Sequence, residues 1–135
     1  MEIVKELHNN SPTDRCAVGY CQYNSGSMFV SNRDFLFVMG FTEAEDGTIS
    51  CAIRSVTHDK YPEAKGFVRG KIISAGYRFV PTNAEKTEWD VTYFTILDLA
   101  GSIPSAIVNK VNKDQPTHLA LLRDEIARAY KSKFN

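Results

Sequence analysis

This chain has no surplus of charge in either direction: its 135 residues carry 16 Lys+Arg and 16 Asp+Glu. A protein that works on nucleic acid usually carries a basic excess to neutralise phosphates, so no nucleic-acid partner is expected. Nor is there an apolar run approaching the ~20 residues that cross a bilayer as a helix. The opening MEIVKELHNN places charges where an export signal needs an apolar stretch, so the expected location is the cytoplasm. Cysteine is scarce and odd in number. Cys16, Cys21 and Cys51 have no metal-like spacing. Cys16 and Cys21 lie five apart in one strand-like run and point to opposite faces, which disfavours a bridge between them. The histidines offer little either: His8 and His118 have no partner in sequence, and His58 sits beside Asp59 in a polar loop. There is no nucleophile elbow and no Gly-rich phosphate loop. The expectation is a protein with no catalytic residues, no metal and no cofactor, and not an enzyme.

What is present reads as one globular domain over residues 1–135, with 43% hydrophobic and 11% aromatic residues. Apolar residues alternate in short runs up to about residue 99, which is the strand signal. The runs fall at 3–7, 15–23, 33–41, 48–56, 66–73, 77–80 and 88–97. Turn-forming residues separate them at 8–14, at Glu45-Asp46-Gly47, at Ser74-Ala75-Gly76 and at 82–85. Seven strands joined by short turns predict an antiparallel sheet, because parallel crossovers need about a dozen residues or more. From Ser102 onward the period becomes helical. Ile103, Ile107, Val108 and Val111 share one face, and Leu119, Leu122, Ile126 and Tyr130 extend the stripe. Pro104 suits a first helical turn, and Pro116 predicts a kink or a helix in two pieces. The fold class is therefore α+β, a curved antiparallel sheet followed by a long C-terminal helix.

Phe35, Phe37 and Met39 alternate on one face of the 33–41 strand, the pattern of a sheet packed on a helix or of the wall of a ligand cavity. Periodicity does not separate the two, since a lipid and a leucine present the same surface to phenylalanine. Tyr61-Pro62, ringed by His58, Asp59, Lys60, Glu63 and Lys65, reads either as a plain turn or as the apolar tip of a lid. The closing helix carries a small basic surplus, either a solvated face or an aid to docking on anionic headgroups.

Several stretches in order carry a resemblance to one family. Val30-Ser31-Asn32-Arg33-Asp34-Phe35 resembles the "(V/M)S-x-RDF" signature of START (steroidogenic-acute-regulatory-related lipid transfer) domains. Lys65-Gly66-Phe67-Val68-Arg69-Gly70 is similar to a second family segment, and Tyr77 to Pro81 to its "GW-x-x-x-P" strand. Asp98-Leu99-Ala100-Gly101-Ser102-Ile103-Pro104-Ser105 resembles the "DLKGWIPK" link into the last helix, with Ile107-Val108-Asn109 similar to the "(I/L)VN" that follows.

The resemblance implies a helix-grip fold of the Bet v 1-like superfamily that holds one lipid (a sterol, phospholipid or fatty acyl chain) in an apolar tunnel between sheet and helix. On that reading the ligand-binding residues are Val18, Tyr20, Gln22, Phe35, Phe37, Met39, Cys51, Ile53, Thr95, Ile107, Val108, Val111, Leu119 and Leu122, with Tyr61 and Pro62 at the gate. Tyr20, Gln22 and Thr95 are the candidates for orienting the lipid's polar group. Some relatives place a charged pair in the tunnel at the positions matching Tyr20 and Met39, and here neither residue is charged. The match begins near the family's fourth strand, so the chain corresponds to roughly two-thirds of the family domain, truncated on its N-terminal side. An edge left open in this way predicts self-association into a homodimer. Transient contact with a membrane surface follows from lipid exchange. The alternatives are a regulatory or catalytic helix-grip domain (thioesterase-associated, or hydrolase- or cyclase-like) and a protein-interaction module.

Overall fold

The computed structural model describes residues 2–11, 14–26 and 28–134, with side chains from residue 15 onward except those of Ser27, Ile107, Lys110, Tyr130 and 132–135. Its strands are β1 (Glu2–Ser11), β2 (Asp14–Tyr23), β3 (Asn32–Glu43), β4 (Ile49–Ser55), β5 (Phe67–Arg69), β6 (Lys71–Pro81) and β7 (Trp89–Asp98). One helix, α1 (Ser105–Phe134), follows them. The sheet runs β1-β2-β3-β4-β6-β7, with β5 paired to β3 off this path. Each neighbouring pair on the path is antiparallel, whereas the three-residue β5 pairs parallel with β3. The class is α+β. The chain divides into two compact units, Met1–Gly101 and Ser102–Asn135.

Burial centres on β3. Its stretch Arg33-Asp34-Phe35-Leu36-Phe37 is buried on both faces of the pleat, with Leu36 and the Asp34 side chain fully enclosed. Phe35, Phe37 and Met39 form the core cluster, with Ala17, Cys21, Ile53, Ile72 and Leu99 packed against it. Two glycines make room for the rings. A Cβ on Gly19 would lie 2.6 Å from Phe37, and one on Gly70 would lie 2.4 Å from Phe35.

The expected Asp46-Gly47 hairpin turn is present. Gly47 takes a positive φ of 85°, and the Asp46 carboxylate accepts the Thr48 N–H at 2.8 Å. Two other turns differ from expectation. Ser74-Ala75-Gly76 lies inside the continuous strand β6, with a register shift between Ile72 and Ser74. These small residues serve close approach, since a Cβ on Gly76 would lie 2.3 Å from the Cys51 carbonyl oxygen. The 8–14 cluster is also mostly strand: His8, Asn9 and Ser11 pair with Cys16, Arg15 and Asp14 through an irregular ladder. The Pro12 and Thr13 part of that expected turn lies outside the described residues.

Helix α1 begins directly after Pro104 and continues without a break through Pro116. A helical proline removes one N–H from the ladder. Next to it the Gln115 amide donates to the Val111 carbonyl at 3.4 Å, a side-chain bond beside the missing backbone one. The two-piece helix is therefore not found.

Candidate functional site

Directly opposite residues in a sheet share a face, so the register sorts the candidates. Ala17, Met39, Ile53, Ala75 and Thr95 lie opposite one another across β2, β3, β4, β6 and β7. A second row on the same face holds Phe41, Cys51, Tyr77 and Tyr93, with Tyr77 and Tyr93 stacked at 4.7 Å. Burial pushes the Cys51 thiol up to about 11 and also raises the Tyr77 phenol. These rows contain no carboxylate and no histidine. Besides the two tyrosine phenols and Arg15, which stands opposite Phe41 at the end of the second row, their polar group is Thr95, whose Oγ1 is buried with no hydrogen-bond partner. This aromatic face brings together Phe35, Phe37, Met39, Cys51, Ile53 and Thr95 as expected residues.

Val18, Tyr20 and Gln22 are elsewhere. They pair with Val38, Leu36 and Asp34, which places them on the opposite face of β2 and β3. Tyr20 and Met39 therefore do not face a common tunnel: Met39 stands opposite Ala17, and Tyr20 opposite Leu36. Strand alternation allows two residues on neighbouring strands to share a face only at matching parity in the register, and these two do not match. The hydroxyl and amide are also already committed. Tyr20 donates to Asp34 Oδ2 at 3.1 Å, and Gln22 donates to the Tyr20 oxygen at 3.0 Å.

That second face carries a polar knot which single-sequence reasoning had treated only as a family signature. Asp34 accepts Arg69 Nε at 2.8 Å and Nη2 at 2.9 Å, a bidentate pair, and also the Ala64 N–H at 3.2 Å. Arg69 donates onward to the Tyr61 carbonyl at 3.3 Å and the Pro62 carbonyl at 2.9 Å. The Arg69 guanidinium holds the Asp34 carboxyl below the usual carboxylate range against the opposing effect of burial, helped by the Ala64 N–H and the Tyr20 hydroxyl. The loop bearing Tyr61 and Pro62 is thus tied to β3 and β5 by a buried charge pair. The sequence signal for it was two opposite charges, in Arg33-Asp34-Phe35 and in Phe67-Val68-Arg69, within runs otherwise apolar.

Arg33 is the other buried charge. It is 5% exposed and donates to the carbonyls of Leu99 at 2.9 Å, Ala100 at 3.0 Å and Ser31. Ala100 and Gly101 take positive φ there, so the link after β7 is held in a tight turn. Sequence reasoning also passed over Met28 and Phe29 in the β2–β3 connection, 95% and 93% exposed. Their loop is shaped by the Ser25 N–H donating to Asn32 Oδ1 at 3.1 Å and the Ser25 hydroxyl donating to the Val30 carbonyl at 2.6 Å.

In α1, Val108, Val111, Leu119 and Leu122 are half-buried and lie on one stripe; the Ile107 side chain lies outside the described residues. No helix among the described residues is long and apolar enough to cross a membrane. Among them there is also no group of three or more His, Cys, Asp or Glu placed to hold a metal ion.

The START domain family model matches residues 1–120. Human StAR-related lipid transfer protein 5 is 34% identical over 100 residues, covering 73% of this chain and 47% of its own length. Steroidogenic acute regulatory-like protein 1 of Caenorhabditis elegans is 39% identical over 90 residues, covering 65% of this chain and 34% of its own. Among solved structures, human STARD10 matches with a TM-score of 0.67 at 22% identity over 87% of this chain and 47% of that one, a likeness of fold. Human StAR-related lipid transfer protein 5 matches with a TM-score of 0.59 at 26% identity, over 80% of this chain and 51% of that one. This chain spans about half the length of the curated relatives it matches. The sheet order, the closing helix and the family match over most of the chain agree: this chain belongs to the START domain family.

Proposed function

We propose that residues 1–135 act as one lipid-binding domain that takes a single lipid against the aromatic face of the sheet, for transfer or sensing inside the cell, without covalent chemistry. The observation that carries this reading is the row Ala17, Met39, Ile53, Ala75 and Thr95, apolar across four strands and ending on a buried hydroxyl with no partner. Apolar burial supplies the affinity, at roughly 25 cal/mol per Å² before ordering costs. Thr95 supplies orientation. Of the three polar candidates it alone shares the aromatic face and has an unspent hydroxyl, which suits a lipid carrying one hydroxyl or carbonyl. Membrane contact during exchange falls to Met28 and Phe29, whose exposed side chains fit the headgroup boundary.

The test is native mass spectrometry of the purified chain, followed by titration with a fluorescent sterol and its 3-deoxy analogue. A bound species of a few hundred daltons is expected, together with saturable binding of the free sterol. In Thr95→Val, loss of one hydrogen bond of about 1–1.5 kcal/mol weakens the hydroxylated probe about tenfold and leaves the deoxy analogue, which has no oxygen there, unchanged. An empty chain that binds neither sterol nor acyl probes overturns the reading.

A further inference from the structure

Two consecutive residues of β3 hold two different segments of the chain. Asp34, through its bidentate pair with Arg69, holds the loop bearing Tyr61 and Pro62. Backbone bonds to β3 close the same loop: the Val56 N–H donates to the Leu36 carbonyl at 3.1 Å and the Gly70 N–H to the Asp34 carbonyl at 3.0 Å. Arg33 holds the link after β7, through the carbonyls of Leu99 and Ala100. That link is not relaxed on its own. Ala100 takes a positive φ of 52°, where its Cβ crowds the backbone. It is kept there between the Arg33 bond at its carbonyl and the Asp98 carboxylate, which accepts its N–H at 2.9 Å. The segment joining the two anchors is thinly held on one side. β5 pairs with β3 at Asn32↔Phe67, Arg33↔Val68 and Asp34↔Arg69, so its whole ladder lies on the residues that carry both anchors.

We propose that Arg33 and Asp34 make one switch of these two segments: the Tyr61-Pro62 loop and the 99–101 link are released together and re-form together. The reason is the cost of leaving a buried ion alone. If Arg69 lets go, the enclosed Asp34 carboxylate loses its cation, and it reaches water only if the 32–34 segment leaves its place. Arg33, on the same segment, is then drawn off its two carbonyls, and Ala100 leaves its crowded conformation. The reverse holds as well. A link that relaxes withdraws the Leu99 and Ala100 acceptors from a guanidinium 5% exposed, and the segment that carries it moves to hydrate it. A state with one anchor made and the other broken leaves a buried ion short of partners, so the closed and open states dominate. Whatever lifts the Tyr61-Pro62 loop therefore loosens the chain just ahead of α1, which begins at Ser105. The switch rests on bonds within this chain, and stands whether or not the lipid reading does.

The test is hydrogen exchange followed by NMR on the full chain. Buried and bonded to Leu99, the Arg33 Nε–H is expected to exchange slowly. Arg69→Lys keeps the charge but not the paired bonds to Asp34. It is expected to speed exchange at the Ala64 and Gly70 amides, which donate to Asp34, and at Arg33 Nε–H by the same factor, about tenfold or more. Arg33→Lys is expected to speed the same two amides in return, although Arg33 bonds to neither. Tyr20→Phe removes a single bond to Asp34, so it reads the coupling should either charge variant unfold. Asp46→Ala, in the hairpin beyond the other end of β3, is the control for general loosening and is expected to leave Arg33 Nε–H unchanged. Faster exchange at Ala64 and Gly70 with Arg33 Nε–H unchanged overturns the proposal, for the two anchors then open separately. Equal acceleration by Asp46→Ala overturns it too, since the whole sheet then opens as one unit. So does a fast-exchanging Arg33 Nε–H in the wild type, or no change at any of the three sites in Arg69→Lys.

Discussion

Replacing Arg69 with methionine isolates the knot beneath the Tyr61-Pro62 loop. In the folded protein the Asp34 side chain is fully buried and receives two charge-assisted bonds from Arg69, together with bonds from Tyr20 and Ala64. Methionine keeps much of the arginine stem but removes the cation, leaving a buried carboxylate with two neutral donors. Removing one partner of a buried pair costs about 3–5 kcal/mol, and the partial exposure of Arg69 points to the lower end, about 3 kcal/mol. The pH dependence should also change sign. In the wild type the folded carboxyl titrates below its unfolded value, so its contribution is complete above the unfolded pKa and is lost as pH falls through the folded one. Without Arg69 the largest effect lowering that pKa is gone and burial, the next largest, opposes only the weaker Ala64 and Tyr20 bonds, so the expected outcome is a folded carboxyl that titrates above its unfolded value. The variant then binds a proton more readily folded than unfolded and regains stability as pH falls from neutrality toward the ordinary carboxylate range. Urea unfolding at pH 7 and at pH 5, followed by circular dichroism, reads both effects. A loss below about 1 kcal/mol at pH 7, the size of an exposed pair, refutes the reasoning, as does a variant that loses stability on acidification.

Two further outcomes follow from the geometry. Cys51, pushed up to about 11 by burial, should react with a thiol reagent at pH 8 far more slowly folded than in denaturant; labelling at the unfolded rate would place it at the surface. Phe29→Asp should weaken sedimentation with anionic phospholipid vesicles severalfold while leaving sterol affinity in solution unchanged, because the side chain projects into solvent; equal sedimentation removes that loop from the membrane contact.

The sequence pattern is legible where one physical rule acts alone. Alternation located β3 and β7, and Asp46-Gly47 located a hairpin because a positive φ there favours glycine. It misleads where small residues have two uses: Ser74-Ala75-Gly76 has turn composition, yet the strand runs through because Cys51 and Phe94 need room against Gly76. Relative facing was beyond reach for a related reason. Alternation divides each strand into two faces, but joining those of β2 to those of β3 requires the register, which depends on how the 24–31 connection is spent. Hence Phe35 and Phe37 were grouped with Tyr20, which the pairing sets on the other side. The Asp34–Arg69 pair spans 35 residues, and no local rule links charges at that separation.

Arg33 has a bearing on the order in which this chain acquires structure. Its acceptors at Leu99 and Ala100 lie 66 and 67 residues downstream, beyond every strand from β4 to β7. Until β7 is in place, a guanidinium destined for the interior has nothing but the nearby Ser31 carbonyl to satisfy it. Burying that cation before Leu99 and Ala100 are placed would leave it short of two acceptors, so its burial is favoured only once β7 has formed. Once the tail of β7 arrives, the same residue fastens the end of the sheet to its middle. It acts as a clasp between two parts of the chain that the sequence sets far apart.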